Sequence, residues 1–511
     1  MTLINNQLKR VAIIILIVFG SVQLKAQLMN HYWSQSYNSM SSLLSGAVVA
    51  GDAGSAAIYY NPANITELEE GGNISLAASF FTLSSYHIRD AMGKDKNLNS
   101  TNFYVQPQFF AISVNSPFNN WSFAIATFNR VREQLTLSYS ESFKINYDDS
   151  GVANDRLTTQ YNYKNYYTDD WISLGGAYTL SDNWHLGISV NFSFSTIDYN
   201  TLNMAEIHPL TADTIIGDGV TSTLLAENVY SEKIKFTNSR MIIKLGTVYE
   251  SGPWRLGLNV SLPAINILTS GKRALRTYKE VYAIETPEGI VLSDYFISDA
   301  QKAESIQATY KLPFSIAIGA FYNLGNNKRI YSTIEYFAGI QPYKMIDATV
   351  NSDITTDIIY DQLENKEWLS YAYGAVPVVN IAIGYRWQIK PRVLFLMGLR
   401  TDFNNIKDYD YGDMEKYATL TSSSMNIYHA TGGVQFHYKK HQLIAGTQMS
   451  FGRQKNVEQM ANFGEDYQPD YNNNMPLLGV RENVADIYYF SLSIFLGATL
   501  NFESKKQLPK E

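Results

Sequence analysis

The fold is decided by a stretch of eleven residues that reads Trp184-His185-Leu186-Gly187-Ile188-Ser189-Val190-Asn191-Phe192-Ser193-Phe194. Every second residue is large and apolar and the others are small or polar, which is the pattern of a strand with one oily face. The same alternation recurs over residues 254–262, 314–322 and 379–388. These runs reach about ten residues, whereas strands in globular proteins average about five or six. Long strands with an apolar-out, polar-in phase indicate a transmembrane β-barrel, because lipid tolerates no open sheet edge.

Fourteen candidate strands follow from this pattern, and their connections alternate between short and long. The candidate strands lie near residues 72–83, 104–114, 121–140, 161–180, 184–199, 234–249, 254–269, 305–322, 329–340, 372–389, 392–403, 425–438, 441–452 and 487–502. Short connections carry turn residues, such as Ser181-Asp182-Asn183 and Ser251-Gly252-Pro253. Long connections cover residues 84–103, 141–160, 200–233, 270–304, 341–371, 404–424 and 453–486. This alternation predicts an all-β antiparallel barrel of about fourteen strands, with both chain ends on the short-turn side.

Composition excludes several other classes of protein. The 511 residues are 14% aromatic and only 17% charged, the reverse of a disordered chain, and the mean hydropathy of −0.17 is too low for a helical membrane protein. A net charge of −7 and a pI near 5.6 argue against a nucleic-acid partner. The absence of cysteine rules out disulfides, thiolate metal sites and a cysteine nucleophile.

The two ends of the chain carry signals of export and assembly. Lys9 and Arg10 precede a short apolar run, and Ala26 follows at a distance typical of cleavage, so residues 1–26 are predicted to be a signal peptide. The run is too short for a membrane-spanning helix, which needs about 20 residues. The barrel is predicted over residues 72–502. Its last strand resembles the assembly signal of outer-membrane barrels, with an ordinary amphipathic strand as the alternative, and a hydrophilic periplasmic tail, residues 503–511, follows.

Residues 27–71, which we call the hatch, are not strand-like. They are rich in small residues and include the run Gly51-Asp52-Ala53-Gly54-Ser55-Ala56-Ala57-Ile58-Tyr59-Tyr60-Asn61-Pro62-Ala63. Small side chains allow close packing inside a lumen, Pro62 fixes one backbone angle, and Asn61 can hold a turn through its side chain. The sequence therefore predicts a plug in the barrel, and a simple turn entering the first strand is the alternative.

This stretch resembles the N-terminal hatch of the FadL/TodX family, the outer-membrane transporters of long-chain fatty acids and hydrocarbons. The family's mark is a glycine- and alanine-rich segment that ends in Tyr-Asn-Pro-Ala, here Tyr60 to Ala63. The matching hatch residues are Gly51, Gly54, Tyr60, Asn61, Pro62 and Ala63. Asn64 stands where the family often has glycine, and asparagine also tolerates left-handed backbone angles. The resemblance implies a barrel whose hatch moves to let a substrate through.

Two long connections are unusually apolar for surface loops, which suggests a ligand or a protein partner. The resemblance implies that these loops, 200–233 and 270–304, form the outer groove that captures the substrate. Their candidate groove residues are Ile215, Leu224, Leu225, Leu275, Tyr282, Ile290 and Phe296. Lys272, Arg273 and Arg276 can attract an anionic headgroup. The alternative is that the two loops only pack on each other as a lid.

The resemblance also implies a kink in the third strand that opens a path sideways. Arg130, Arg132 and Glu133 interrupt the alternation there, although an ordinary bulge or a luminal charge pair explains them equally well. Arg255, Glu335, Arg386 and Arg400 have the inward phase and are predicted to form a charge network in the lumen.

No motif in the chain points to an enzyme or to a cofactor. The seven histidines form no zinc-protease pair, and neither a nucleophile elbow nor a phosphate-binding loop is present. The acidic loop around Gly412 can coordinate calcium through Asp408, Asp410, Asp413 and Glu415, but its spacing is not that of an EF-hand, and a solvated loop is the alternative.

Two functional hypotheses of different classes remain. The first is an outer-membrane channel for passive uptake of hydrophobic small molecules, such as long-chain fatty acids, with membrane lipids as its surroundings. The second is a FadL-like barrel that serves as a structural or adaptor subunit of a secretion or assembly complex, with other outer-membrane proteins as partners. Some relatives of the family in Bacteroidota act in this second way, and the Ala26-Gln27 end of the signal peptide suits that phylum.

Overall fold

The computed structural model describes residues 30–33, 39–68, 73–114, 118–145, 155–209, 215–216, 220–221, 226–281, 284–286, 289–291, 295–347, 370–406, 410, 412, 418–419, 423–439, 441–464, 467–470 and 476–501. The predicted signal peptide, 1–26, and C-terminal tail, 503–511, lie outside these residues, as does most of the acidic loop 408–415. Among the described residues, no helix has the length and apolarity needed to cross a membrane.

The chain folds almost entirely into β-strands, preceded by two short helices. The helices are α1 (Ser39–Leu43) and α2 (Ala57–Tyr60), and 3₁₀ turns cover Gly54–Ala56, Pro62–Glu67 and Pro476–Leu478. The strands are β1 (Asn73–Arg89), β2 (Leu98–Val114), β3 (Trp121–Ile145), β4 (Asp155–Ser181), β5 (Trp184–Pro209), β6 (Ile215–Ile216), β7 (Val220–Thr221), β8 (Ala226–Ser251), β9 (Trp254–Ser261), β10 (Ile265–Val281), β11 (Ile284–Thr286), β12 (Gly289–Val291), β13 (Tyr295–Ala308), β14 (Ser315–Gly325), β15 (Lys328–Phe337), β16 (Ile340–Asp347), β17 (Tyr371–Ala375), β18 (Val378–Lys390), β19 (Val393–Asp402), β20 (Ala418–Thr419), β21 (Ile427–Tyr438), β22 (His441–Glu458) and β23 (Asn483–Asn501).

The wall is a closed antiparallel barrel of 14 strands, as predicted. The first and last strands close it, because β1 pairs with β23 from Asn73 opposite Asn501 to Arg89 opposite Asp486. Closure leaves no open edge along the circumference, which is what a sheet in lipid requires.

The two faces of the wall carry opposite chemistry, as the alternation predicted. On β5, Leu186 and Ile188 are 41% and 46% exposed on the outside, whereas Ser189 and Asn191 are 1% and 0% exposed on the inside. Aromatic pairs lie on the outer face beside the short turns, which together mark what we call the short-turn end of the barrel. These pairs are Trp121 with Tyr178, Trp184 with Tyr249, and Trp254 with Tyr322. An apolar band edged by aromatic rings matches the outer surface of a membrane barrel.

The long connections 200–233 and 270–304 are not the loops that the sequence predicted over their whole lengths. The β5–β8 ladder continues to Ile207 opposite Ala226, and β10 pairs with β13 up to Val281 opposite Tyr295. Above the apolar band the polarity of β8 reverses, with Ile234 buried inside and Lys235 exposed outside. The ladders therefore extend beyond the band on the side opposite the short turns, which we call the long-loop end.

Four consecutive wall strands are interrupted. The sequence predicted three of them as continuous, over 254–269, 305–322 and 372–389, and predicted that the fourth, 329–340, would end where β16 in fact begins. The interruptions separate β9 from β10, β13 from β14, β15 from β16 and β17 from β18. Pro263, Pro313 and Pro377 lie in three of the four, and Gly339 in the other. Proline cannot donate to a ladder and glycine weakens a strand, so both residues mark breaks.

The described part of the hatch lies inside the barrel. Helix α1 contacts β19, β21, β22 and β23, and the turn Pro62–Glu67 contacts β3, β4, β5 and β8, so the segment crosses the lumen. Leu43, Leu44, Ile58 and Ile65 are all 0% exposed. Burying each of these side chains contributes roughly 1.5–3 kcal/mol, which fixes the hatch against the wall.

Candidate functional site: the hatch and the break in the wall

Glycines on the inner face of the wall let the hatch backbone approach closely. A Cβ at Gly187 would lie 2.3 Å from the backbone N of Ala63, and a Cβ at Gly246 would lie 2.0 Å from Oδ1 of Asn61. The two glycines are paired across β5 and β8. Only glycine fits at either position, so this pair forms a seat for the Asn61-Pro62-Ala63 turn.

The same device recurs on the other side of the lumen. Gly257 and Gly319, paired across β9 and β14, contact the hatch backbone at Val49 and Ala50. Further paired glycines contact Leu43 or Leu44, namely Gly384 with Gly398 and Gly433 with Gly446. The glycines that interrupt the alternating pattern of the strands therefore mark the positions at which the hatch packs against the wall.

Asn61 joins the two halves of the hatch to each other and to the wall. Its Nδ2 donates to the carbonyl oxygen of Val49 at 2.8 Å and to that of Thr247, on β8, at 3.2 Å. Its Oδ1 accepts from the backbone N–H of Ala63 at 3.1 Å and so caps the turn that Pro62 begins. Asn61 is 0% exposed and makes three hydrogen bonds, so the predicted turn-holding role extends to the barrel wall.

Asn64 uses its side chain rather than the left-handed backbone that the sequence suggested. It lies within the 3₁₀ turn and has no positive φ. Its Nδ2 donates to the carbonyl oxygen of Val49 at 3.1 Å, and its Oδ1 accepts from Nη2 of Arg255 at 3.1 Å. Asn61 and Asn64, which both bind Val49, form the asparagine anchor of the hatch.

The remaining predicted hatch residues shape the segment. Gly54 has a φ of +55°, a left-handed angle that favours glycine. A Cβ at Gly51 would lie 2.8 Å from Oε1 of Glu67, and the rings of Tyr59 and Tyr60 meet edge-on at 5.2 Å. Each of these contacts lies within the hatch, and none of them reaches the outside of the barrel.

Asp52 ties the hatch to the wall near the short-turn end. Its Oδ2 lies 2.8 Å from Nη1 of both Arg329 and Arg386, and it also accepts from the Tyr331 hydroxyl. Burial alone would raise the pKa of Asp52, but the two arginines hold it below its ordinary value. The carboxylate therefore stays charged between two cations.

Glu67 makes a second charged contact at the same end. Its Oε1 lies 2.5 Å from Nη1 of Arg255, which also lies 2.7 Å from Oε1 of Glu250. The Glu67 side chain is 24% exposed but faces the interior of the barrel. Burial there raises the pKa of Glu67 to about 7, although Arg255 opposes the rise. Asp52 and Glu67, with their arginine partners, form the carboxylate latch of the hatch.

The predicted luminal charge network exists in part. Its contacts are mostly with residues of the hatch rather than between strands of the wall. Arg255 and Arg386 bind the carboxylate latch. Glu335 accepts from the indole Nε1 of Trp33 at 2.6 Å, and Arg400 is 4% exposed. The inward phase of these residues was readable from sequence, but their hatch partners were not.

The hatch also holds a cation that was not among the residues predicted from the sequence. Nζ of Lys244, on β8, donates to the carbonyl oxygen of Tyr59 at 2.7 Å and lies 3.7 Å from the centroid of the Tyr59 ring. Trp171 and Phe128 pack around the same ring. The one available signal was the inward phase of Lys244, which it shares with Arg240 on the same strand.

The third strand is irregular where the sequence placed a kink. The β3–β4 register shifts between Asn129 and Val131, so Arg130 occupies a bulge. Arg130 binds Asp169, with Nη1 and Oδ2 3.2 Å apart, and Arg240 binds the other oxygen of Asp169 at 3.1 Å. The bulge and the charge pair that the sequence left as alternatives to a kink are thus both present.

The other two predicted kink residues follow the bulge. The guanidinium of Arg132 lies 5.8 Å from the ring centroid of Tyr166. Glu133 has a buried Oε2 without a hydrogen-bond partner among the described residues. Both residues lie on the long-loop side of the bulge.

A break in the wall accompanies the bulge. The β2–β3 ladder runs only from Phe109 opposite Phe128 to Val114 opposite Phe123. Beyond a gap the strands meet again, where Nδ2 of Asn102 donates to the carbonyl oxygen of Gln134 at 2.9 Å. Adjacent β1 also shifts register, next to both β2 and β23.

A cavity of about 750 Å³ lies at this break. Its lining is mostly apolar and comes from both faces of the wall, with Phe109 and Phe128 from the inside and Leu76 and Leu496 from the outside. Its polar lining residues are Thr127, Asn129 and Asp170, and Nδ2 of Asn129 donates to Oδ1 of Asp170 at 2.7 Å. The volume and lining match those of small-molecule sites, about 300–1,000 Å³ and largely apolar. We call it the wall cavity.

The predicted groove residues fall largely outside the described part of the molecule. Leu224, Leu225 and Tyr282 are not described. Ile215 lies in β6, Ile290 in β12, Leu275 in β10 and Phe296 in β13, but their side chains are not described. Of the headgroup residues, Lys272 is exposed on β10, and Arg273 and Arg276 follow it on that strand with undescribed side chains. Within the described ranges, no group of three or more metal-ligating side chains comes together.

A closed 14-strand antiparallel barrel, with the hatch packed against its inner face, defines the class of fold. Two solved structures resemble the chain over nearly its whole length. The toluene transporter TodX of P. putida matches with a TM-score of 0.53 and 12% identity over 92% of this chain and 99% of TodX. A FadL homologue of Pseudomonas aeruginosa matches with a TM-score of 0.54 and 11% identity over 93% of this chain and 100% of the homologue.

No family model and no curated protein matches the chain. The chain has the fold of the FadL and TodX barrels, as the hatch motif implied.

Proposed function

We propose that the protein is an outer-membrane channel for the passive uptake of hydrophobic small molecules, with both chain ends in the periplasm. The apolar outer band and the aromatic rings at the short-turn end support a place in a membrane. The solved structures of similar fold are of a toluene transporter and a FadL homologue, which supports transport rather than catalysis.

The wall cavity is the observation that carries this proposal. Its lining includes side chains from both faces of the wall, and it lies where the β2–β3 ladder is broken. Because the backbone hydrogen bonds between β2 and β3 are interrupted here, an apolar molecule in the lumen can enter this cavity without breaking the ladder. We infer that substrate leaves the lumen sideways here, and that movement of the hatch admits substrate to this level from the long-loop end.

Beside the bulge, Asp169 lies between Arg130 and Arg240, so these three charges are engaged with one another. The mostly apolar lining of the wall cavity favours an oily solute over an ion. The groove loops and Lys272, Arg273 and Arg276 remain the predicted capture surface at the long-loop end.

Site-specific blocking of the wall cavity tests this function. The chain has no cysteine, so Ala498→Cys in the cavity lining can be labelled with a bulky maleimide at that position alone. Ile381→Cys is the matched control, because Ile381 faces the outside, 41% exposed, and is not part of the cavity lining. In proteoliposomes, labelled Ala498→Cys is expected to take up a fluorescent hydrophobic probe about tenfold more slowly than unlabelled protein. Labelled Ile381→Cys is expected to keep its rate, and an unchanged rate for both would contradict a route through the cavity.

The adaptor hypothesis predicts a different result in a parallel measurement. Native mass spectrometry of protein extracted gently from its own membrane is expected to show a monomer with a bound hydrophobic molecule. Stoichiometric partner proteins, together with no uptake by unlabelled protein, would instead favour a subunit of an outer-membrane complex.

A further inference from the structure

A second cavity lies between the hatch and the short-turn ends of the last barrel strands. Its volume is about 350 Å³. The hatch contributes Met40, Asp52 and Glu67 to its lining, and the wall contributes Arg386 and residues of β21, β22 and β23. The wall residues on those three strands are Gln435, His437, Gln442, Ile444, Thr499 and Asn501. We call it the polar cavity, because its lining is mostly amide, hydroxyl and carboxylate.

Gln435 presents an unsatisfied acceptor at this cavity. Its Nε2 donates to Oε1 of Gln442 at 3.1 Å and lies 3.2 Å from Nε2 of His437. Its Oε1 is buried and has no hydrogen-bond partner among the described residues, and Gln435 as a whole is 2% exposed. A buried polar group left without a partner is unfavourable, because it has lost its hydrogen bonds to water. A ligand group that donates a hydrogen bond would remove that cost.

The charges of the lining select against an anion. Asp52 and Glu67 both line the cavity, and Arg386, the one arginine among the described lining residues, is engaged by Asp52 at 2.8 Å. Glu67 is likewise engaged by Arg255, so an incoming carboxylate would lose its hydration and find no unengaged arginine among the described lining residues.

The polar cavity adjoins the wall cavity through one residue. Ile444 lines both cavities and is 6% exposed. One side of this isoleucine is therefore apolar and large, and the other is polar and small. An unbranched amphipathic molecule fits this arrangement, with its chain in the wall cavity and its polar end past Ile444.

We propose that the polar cavity is a subsite for an uncharged, hydrogen-bond-donating end group, such as a hydroxyl, on an otherwise apolar ligand. This proposal rests on the proposed function, since the wall cavity must first hold the chain. It names a substrate class, long-chain alcohols, that the resemblance to fatty-acid and hydrocarbon transporters does not imply.

Competition binding tests the subsite. The protein in nanodiscs is loaded with the hydrophobic probe N-phenylnaphthylamine, and dodecanol or dodecanoate displaces it at about pH 8, where the free acid is charged. The wild type is expected to bind dodecanol at least about tenfold more tightly than dodecanoate, a difference of about 1.4 kcal/mol. Gln435→Leu is expected to weaken dodecanol binding about tenfold and to leave dodecanoate binding within about twofold.

Gln448→Leu is the matched control. Gln448 is also a buried glutamine on the inner face, but it contacts His429 and Ser450 and does not line the polar cavity. If Gln435→Leu fails to fold, Gln435→Glu serves as the second variant, because glutamate keeps a hydrogen-bond acceptor and adds a negative charge. It is expected to retain dodecanol binding and to exclude dodecanoate further.

Equal affinity for the alcohol and the acid in the wild type, or an unchanged alcohol affinity in Gln435→Leu, would overturn the subsite. A wild type that binds the naphthylamine probe and both amphiphiles equally would leave the channel function standing. A wild type that binds none of the three compounds would instead remove the channel function, so the two failures are distinguishable.

Discussion

The hatch is held by two kinds of contact that differ in charge and in burial. The asparagine anchor is neutral and fully buried, with Asn61 and Asn64 both 0% exposed and both bonded to the carbonyl oxygen of Val49. The carboxylate latch is charged and partly accessible, since Asp52 is 18% and Glu67 is 24% exposed. Asn61 contacts the wall through backbone and glycine and Asn64 contacts it through Arg255, whereas the latch carboxylates contact the wall mainly through ion pairs with arginine side chains.

This difference assigns the two contacts different parts in any movement of the hatch. Neutral hydrogen bonds in a dry environment depend little on salt or pH, and losing one leaves a buried group unsatisfied. Ion pairs that water can reach are screened by salt and respond to protonation. We expect the asparagine anchor to set the resting position of the hatch and the carboxylate latch to set how its release depends on conditions.

The largest effect is expected from a substitution that breaks the anchor sterically. In Gly246→Val the new side chain would begin 2.0 Å from Oδ1 of Asn61, so the turn cannot stay seated. Overpacking of this kind costs about 1–3 kcal/mol, and we expect undocking to increase about 100-fold. The measurement is the rate at which a reporter, Ala57→Cys, reacts with a membrane-impermeant thiol reagent, because Ala57 is 0% exposed while the hatch is seated.

Gly432→Val is the control for this prediction. Gly432 precedes the hatch-contacting Gly433 on β21, yet a Cβ there meets no atom within 4 Å. Its reporter rate should equal that of the parent. A slow rate in Gly246→Val would mean that the seat does not hold the hatch.

The contrast between anchor and latch also shows what the sequence could reveal. The number of strands and the side of the wall that each residue faces were predictable, because every second residue faces lipid. The turn-holding role of Asn61 was predictable because its motif is local in the chain. The partners of Asp52 were not, since Arg329 and Arg386 lie 277 and 334 residues away and no local pattern links them. The extended β5–β8 ladder was missed because its polarity reverses above the apolar band, with Ile234 turned inward.

A smaller, salt-dependent effect is expected from breaking the latch. Asp52→Asn removes the carboxylate that Arg329 and Arg386 bind, so the seated hatch loses its attraction to these two wall arginines and release becomes more favourable. We expect the reporter at position 57 to react about tenfold faster than in the parent at low ionic strength, and the difference to shrink to about twofold near 1 M salt. Gly246→Val should keep its full effect at both salt concentrations. A salt-independent Asp52→Asn effect would remove the distinction between the two contacts.

The smallest expected effect is the dependence of hatch release on pH, and it tests Glu67 separately from Asp52. The pKa of Glu67 is raised to about 7 in the seated hatch, so the seated state binds the proton more tightly than a released, solvated Glu67 would. Docking is therefore strongest at low pH and weakens as pH rises toward 7. The pKa of Asp52 is instead lowered, so Asp52 stays charged over this interval and contributes no slope.

The position-57 reporter should accordingly react at least about fivefold faster near pH 8 than near pH 5, after normalisation to Phe118→Cys, which is 65% exposed and corrects for thiol ionisation. Glu67→Gln should abolish this slope and keep the slow rate of low pH, because the neutral amide resembles the protonated acid. A slope that survives in Glu67→Gln would place the pH response elsewhere in the lumen. The latch would then differ from the anchor only in the response of hatch release to salt.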